Sequence, residues 1–540
     1  MIQKIGKKVI GLVLLVLALI VYVIQQIPRE SAVNMSAVNA KLQEQPVQEP
    51  YGSVYEVFVY SYEDTDGDGI GDLNGITEKL DYIHDLGFRG LWLMPVCPSP
   101  TYHKYDVADY MSIDPQYGTM EDFQRLVQEA HSRDMKVILD LVLNHTSVQH
   151  PWFMKATEYM RSLPAGQEPD PAVCPYAEYY RFSRNMQGGY AKLADSDWYY
   201  EARFWEGMPD LNLDNEAVRR EIAEIMRFWI DKGTDGFRLD AVTSYYTGDH
   251  EKNIQFLSWV KKTAVSFDPD CYIVCEGWEN RNTYAQYYAS GVDSMFDFSF
   301  ADASGVITST LLGRYKARDF GNAQESEWQL YQSYGSQAVN APFYTNHDMG
   351  RSAGYYATDD GSKTKLAQAM NLLMSGNVFL YYGEEIGMKG AGKDENKRAP
   401  MYWTQDPDAE GMTQGPPGMD EVAMKFAPLD EQMKDPYSIV NYVKEVMRIR
   451  NAFPVIACGR TWVHQDLTTD SVCMIMKEDG VHEPAAIIYN ISDQVQTVDL
   501  SSTEFHALRG VLTVNEDAVT FSNDILTLPA WGCAVLTEQE

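Results

Sequence analysis

From Val54 onward the sequence alternates short apolar runs with amphipathic stretches of helical period, and this rhythm limits the fold more than any other feature. The runs lie at 54–60, 90–96, 136–145, 235–242, 272–278, 294–298, 342–348 and 377–385. Helical patterns separate them, as in 75–87, 120–134 and 216–233. Parallel strands need a crossover of about a dozen residues or more, usually a helix. Eight strands joined this way predict a (β/α)8 barrel, the TIM-barrel arrangement, over residues 51–145 and 211–450. Residues 146–210 break the rhythm with an aromatic, loop-rich insertion that includes Tyr179, Tyr180, Tyr190, Trp198 and Trp205. Residues 455–540 carry strand-like alternation and predict a separate antiparallel β-sandwich.

Acidic residues recur where the predicted barrel strands end. Asp140 lies in the third, Asp240 ends the fourth, Glu276 the fifth and Asp348 the seventh. Barrel active sites are built on that rim, so these side chains converge although they are far apart in sequence. Arg238, two residues before Asp240, shares its face of the strand and favours the ionised carboxylate. His145 and His347 stand at the same rim. One buried carboxylate is ordinarily half of an ion pair; four at strand ends, each beside a polar partner, point to chemistry.

The substrate is expected to be neutral. With 44 Lys+Arg against 77 Asp+Glu, the net charge of -33 repels phosphate backbones and excludes nucleic acid as a partner. Aromatic residues make up 12% of the chain, and flat rings stack on sugar faces, although most of them serve as core.

A second motif stands apart from the rim. Asp64, Asp66, Asp68 and Asp72 occupy positions 1, 3, 5 and 9 of an EF-hand-like loop, with the Ile70 carbonyl at 7 and Gly69 at the turn. Gly75 replaces the bidentate glutamate of position 12. The spacing predicts a structural Ca2+ site.

The segments "DLVLNH" (140–145), "GFRLDAV" (236–242), "CEGW" (275–278) and "TNHD" (345–348) resemble the four signature regions of the α-amylase family of glycoside hydrolases, family 13. "MPDLN" (208–212) is similar to the short region that closes that family's inserted domain B. The likeness extends to the family's oligo-1,6-glucosidase and neopullulanase-intermediate branch. It implies that Asp240 is the nucleophile, Glu276 the general acid and base, and Asp348 the carboxylate that steadies the distorted sugar. Tyr105 and Asp106 then match the platform and floor of the reacting-sugar subsite. His145, Arg238 and His347 match polar residues around that sugar, and Arg398 matches an arginine that neutralises the floor. The loop at Asp64–Asp72 matches the family's calcium loop, and Asn144 and Asp210 match part of a further calcium site between barrel and insertion.

Departures narrow the activity. Thr243 and Ser244 stand where many α-amylases carry a Lys-His pair, which leaves acceptor-side contacts open. Ala241, a small residue after the nucleophile, goes in this family with α-1,4 linkages. The expected activity is retaining, endo-type hydrolysis of α-1,4-glucosidic bonds in starch, glycogen or maltooligosaccharides, with transglycosylation as a companion reaction. An exo-acting α-glucosidase is the alternative. An amylase-like, non-catalytic subunit of an amino-acid transporter is a third reading, and the complete catalytic set argues against it.

Lys4, Lys7 and Lys8 precede 20 uncharged residues, Val9–Pro28, which reach about 30 Å as a helix. Residues 1–28 therefore predict a membrane anchor or signal that places the remainder outside the cytoplasm. Residues 29–50 read as a polar linker. Beyond this anchor no membrane contact is expected, and the chain reads as a monomer. The seven cysteines are scattered without metal-ligand spacing and read as free thiols, mostly buried.

Overall fold

The computed structural model describes residues 32–46, 49–335, 337–356 and 358–539. Eight parallel strands form the barrel: β1 (Ser53–Val57), β2 (Gly90–Leu93), β3 (Lys136–Leu141), β4 (Gly236–Leu239), β5 (Tyr272–Cys275), β6 (Ser294–Phe296), β7 (Val339–Ala341) and β8 (Val378–Tyr381). They pair in chain order from β1 to β7, and β8 pairs with β1. The seam between β7 and β8 closes through a Phe343–Phe379 bridge and an Asn377 N–H donated to Asn340 at 2.8 Å.

Both faces of these strands are apolar, as a sheet covered on each side requires. Val54, Trp92, Ile138, Val274, Phe296, Ala341 and Phe379 form one cluster inside the barrel. Alternate residues such as Tyr55, Leu91, Val137, Phe237 and Ile273 pack outward among the helices. The seventh strand lies earlier than the 342–348 expected, because Pro342 has no N–H to continue the ladder. Residues 342–348 instead run beyond the strand and carry Asn346, His347 and Asp348 over the rim.

The insertion after β3 holds a helix, Pro151–Ser162, and a three-stranded sheet of 182–183, 190–192 and 199–201. Its aromatic residues are largely its own core, with Phe153 within 5.0 Å of the Tyr180 ring and 4.9 Å of the Tyr200 ring. Bridges from His145 to Asp210 and from Tyr180 to Leu211 tie it back to the rim.

At the C-terminus, antiparallel sheets of five and four strands face each other. The smaller one takes its edge strand, Ala32–Val33, from the segment expected to be a polar linker. A short helix, Met35–Asn39, follows and buries Met35 and Val38. The Asn39 amide exchanges two 2.9 Å hydrogen bonds with the backbone of Val511, as a neighbouring strand would. The linker reading fails for residues 32–42, because Val33, Met35, Val38 and Leu42 dock on the folded body while the polar composition belongs to the run at 43–50. The proposed anchor at 1–28 lies outside the described residues. Among the described residues, no helix is long and apolar enough to cross a membrane.

Candidate active site

Strand parity builds the site. Because Val54, Ile138 and Val274 face the barrel interior, Glu56, Asp140 and Glu276, each two residues further along, face it too. Arg238 is in register with Asp140 on one side and Val274 on the other, and Asp240 follows two residues on. An apolar layer of the barrel is thus capped by a charged one at the C-terminal rim.

Arg238 is the hub of that layer. It is fully buried, with its guanidinium 5.2 Å from the centre of the Trp92 ring. Its Nη1 donates to Asp140 at 2.8 and 2.9 Å and to Asp240 Oδ1 at 2.7 Å. Its Nη2 lies 3.1 Å from Glu276 Oε1. The other Glu276 oxygen accepts the Ala241 N–H at 3.1 Å. Ala241 takes a left-handed conformation, φ 48°, and this turn brings its N–H onto Glu276 directly after the Asp240 side chain.

The opposite wall comes from the loop after β7. His347 Nδ1 donates to Glu56 at 2.6 Å, and its Nε2 lies 3.0 Å from Asp348 Oδ2. The Tyr105 ring stacks on His347 with centroids 5.5 Å apart, and its hydroxyl donates to Asp140 at 2.9 Å. Arg398 donates to Asp348 Oδ1 at 2.8 Å. Five carboxylates (Glu56, Asp140, Asp240, Glu276, Asp348) therefore surround three cationic groups, Arg238, Arg398 and His347. The surplus negative charge favours a reacting centre that becomes positive.

Environment separates the acids. Burial pushes Asp240 up to about 6, against the pull of Arg238. Burial also raises Glu276, opposed by Arg238 and reinforced by Asp240 and Asp348. Asp348 is held well below the usual carboxylate range despite its burial, by His347 and then Arg398. His347, which desolvation alone would lower, is raised to about 10 by Asp348 and Glu56 and stays protonated. Two raised carboxyls on one guanidinium, facing a third that remains ionised, are suited to a double displacement at one carbon.

The family described as "Alpha amylase, catalytic domain" matches residues 56–459. The chain belongs to the α-amylase family. The α-amylase 3 of Dictyoglomus thermophilum is 39% identical over 447 residues, covering 81% of this chain and 84% of its own. Oligo-1,6-glucosidase of Heyndrickxia coagulans is 28% identical over 534 residues, covering 85% and 94%. The structure of Eubacterium rectale Amy13B superposes with a TM-score of 0.92 at 48% identity, covering 94% of this chain and 100% of that one. Amylases and glucosidases both stand among these relatives, and they agree on a family 13 glycoside hydrolase.

Other residues expected around the sugar of this α-amylase family member take definite places. His145 Nε2 lies 3.2 Å from the Tyr105 carbonyl, and burial lowers it to about 4, so the ring is neutral. Asp106 is buried and accepts from the hydroxyls of Ser99, at 2.7 Å, and Thr101. Arg398 does not reach that floor: its Nε is fixed on the His347 carbonyl at 3.2 Å, which directs its fork to Asp348. Glu56, partner of His347, was missed, since a lone glutamate in an apolar run reads as an exposed position. Phe204, half-exposed and 5.3 Å from His145, and Trp278, half-exposed two residues beyond Glu276, are apolar surfaces at the rim without a periodic signal.

The two expected calcium sites differ. Ligand oxygens of Asp64, Asp66 and Asp72 lie within 4.8 Å of one another. Asp64 is held by the N–H groups of Gly67 and Gly69, both at 2.7 Å, and Asp68 instead caps the Ile70 N–H at 2.8 Å. Burial and then Asp68 and Asp72 raise Asp66, the mark of crowded anions. This loop fits a hard dication. Asn144 and Asp210 also meet, at 3.2 Å, but Glu201 beside them already pairs with Arg181 at 3.1 Å and Arg203 at 2.8 Å. Arg181 also reaches Asp214 at 3.3 Å, and burial and then Glu201 raise Asp210 to about 7, so Asn144 and Asp210 offer a second ion fewer carboxylates than the Asp64–Asp72 loop offers the first. Ser244 borders the same cleft of about 340 Å3, together with Asp214 and Tyr246.

Proposed function

We propose that this enzyme hydrolyses α-1,4-glucosidic bonds of starch, glycogen or maltooligosaccharides in an endo manner, with retention of the anomer. The observation that carries the reading is the single Arg238 guanidinium joining Asp240 and Glu276. Asp240 attacks the anomeric carbon as the leaving oxygen takes the Glu276 proton, giving a covalent glycosyl-enzyme. Water, deprotonated by Glu276, then releases the sugar and restores Asp240; a sugar hydroxyl in its place gives transglycosylation. Asp348, kept ionised by His347 and Arg398, holds sugar hydroxyls and favours the oxocarbenium-like transition state. Tyr105, Asp106 and His145 complete the subsite.

The α-1,4 preference rests on Ala241 and on the α-amylase named among the relatives. An exo-acting α-glucosidase is the second reading, supported by the glucosidase relatives. The test supplies the full chain with maltoheptaose, pullulan and isomaltose separately and follows products and anomer by NMR. Internal cleavage of maltoheptaose with an initial α-anomer is expected. Glucose released singly selects the exo reading, and an initial β-anomer overturns the retaining mechanism.

We further infer that the Asp64–Asp72 loop holds a structural Ca2+, with Asp64, Asp66, Asp72 and the Ile70 carbonyl as ligands and Asp68 beside them. The ion stiffens the turn after β1 and takes no part in the reaction. The lysines before Val9 and the apolar run after them support an N-terminal anchor that keeps the catalytic domain outside the cytoplasm.

A further inference from the structure

All seven cysteines are unpaired, and six are buried. Cys458, only partly buried, ends a short helix, Val455–Cys458, where the barrel meets the larger C-terminal sheet. Facing it is the loop that joins the strands Val472–Glu478 and Ala485–Asn490, which carries Asp479 and His482. Cys458 Sγ lies 3.1 Å from Asp479 Oδ2 and 3.9 Å from His482 Nδ1, and those two atoms are 2.5 Å apart.

Two features separate this trio from a catalytic relay. A relay uses both imidazole nitrogens, one toward the nucleophile and one toward the orienting acid. Here thiol and carboxylate both face Nδ1, so the three atoms converge on one point, as ligands do. The loop is also preorganised: Asp479 Oδ1 accepts the N–H groups of Val481 and His482, each at 2.8 Å, which leaves Oδ2 for the shared point.

We propose that Cys458, Asp479 and His482 bind a borderline-soft divalent metal ion of the Zn2+ type. Tetrahedral Zn–S, Zn–N and Zn–O bonds set the ligand atoms about 3.4–3.6 Å apart; the two Cys458 separations lie within about 0.3 Å of that range, and the 2.5 Å Asp479–His482 hydrogen bond must open by about 1 Å as the ion takes its place. Thiolate and imidazole donors select against Ca2+ and Mg2+. Binding exchanges the Sγ–H of Cys458, and any proton on His482 Nδ1, for bonds to the ion, and both protons pass to solvent. Three protein ligands leave the fourth position to water. Cys458 also borders two clefts lined by Gly52 and Ser53, and by Val339, Asn340 and Gly376, residues at the starts of β1, β7 and β8. The site therefore lies at the N-terminal face of the barrel, opposite the glycosidase rim, where an ion couples barrel to sandwich rather than serving hydrolysis.

The test titrates the reduced full chain with Co2+, followed by absorbance, and then with Zn2+. A thiolate-to-cobalt band that saturates at one equivalent and is displaced by Zn2+ is expected. Cys458→Ser abolishes the band and His482→Ala weakens it, while glycosidase activity stays at the wild-type level in both. His482 is partly exposed on a loop, so its variant reports binding even where Cys458→Ser loses stability. Absence of a saturable thiolate band, or a band unchanged in both variants, overturns the proposal.

Discussion

Glu56 accepts a 2.6 Å hydrogen bond from His347 Nδ1, fixing the first strand of the barrel to the loop after the seventh. Both side chains are buried, so the pair sets the charge of the ring that faces Asp348. Glu56→Gln removes one of the two carboxylates that hold His347 near 10. The expected result is a kcat lower by about tenfold or more, ~1.4 kcal/mol, with KM changed less. The alkaline limb of the pH profile moves to lower pH. A profile unchanged in shape would show that Glu56 only fills space.

The acid limb belongs to Asp240. Raised by burial to about 6, its carboxyl becomes protonated below that pH and can no longer attack. Activity is expected to fall about tenfold per pH unit below the limb, with an apparent value that belongs to the Asp240–Glu276–Asp348 cluster. Glu276→Gln removes most turnover on unactivated glucans, and a fluoride leaving group, which needs no proton, restores part of it. Equal losses on both substrates would place the general acid elsewhere.

How much of this could be read from sequence depends on periodicity. The barrel strands were legible because apolar runs recur between helical stretches, and strand parity then places Arg238 with Asp240. The same parity places Glu56 beside Val54, but a glutamate inside "VYEVFVY" resembles a solvent-facing position until the helices outside the barrel are seen. Asp348 stands on irregular backbone seven residues past β7, so the end of the predicted strand put it at the rim but no strand parity could set its direction. Phe204, on a loop of the insertion beside His145, carries no periodic signal at all. Residues 32–42 went unread because their seven apolar residues, three of them only alanine, merge in composition with the polar run at 43–50.

That docked segment has a measurable weight. Removing residues 1–31 leaves the edge strand, whereas removing 1–50 strips Met35, Val38 and Asn39 from the sandwich. Burying each of the two apolar side chains contributes about 1.5–3 kcal/mol. The longer truncation is expected to melt several degrees lower than the shorter, with kcat per folded molecule unchanged. Equal melting temperatures would mean that the segment adds nothing to stability.

Calcium in the proposed Asp64–Asp72 site would stabilise by binding the folded state alone. At a hundredfold excess over its Kd the ion adds about 2.7 kcal/mol, so EGTA is expected to lower Tm and added Ca2+ to restore it. Asp64→Asn, which weakens the ligand nearest the turn glycines, abolishes the response to EGTA while Asp210→Asn retains it. A Tm indifferent to EGTA in the wild type would remove calcium from the loop.

Lys477 is buried at the junction of barrel and sandwich, bonded to the hydroxyls of Ser375 at 2.7 Å and Thr461 at 2.8 Å. Among the described residues no carboxylate lies within ion-pair distance of it, and burial lowers it to about 7. Between about 7 and 10.5 the unfolded chain holds a proton that the folded chain has lost, so this group's contribution to stability rises with pH across that window. Below 7 both states are protonated and the penalty for the buried charge is full. Lys477→Met preserves the bulk, and Ser375 and Thr461 retain their own 2.9 Å hydrogen bond. The variant is expected to be more stable by about 1–4 kcal/mol at pH 6, the range found when buried charges are replaced by apolar groups of similar volume. Melting curves at pH 6, 8 and 10 are expected to show that advantage shrinking as pH rises. A variant less stable than the wild type at pH 6 would mean that the two hydroxyl contacts outweigh the cost of the buried ammonium.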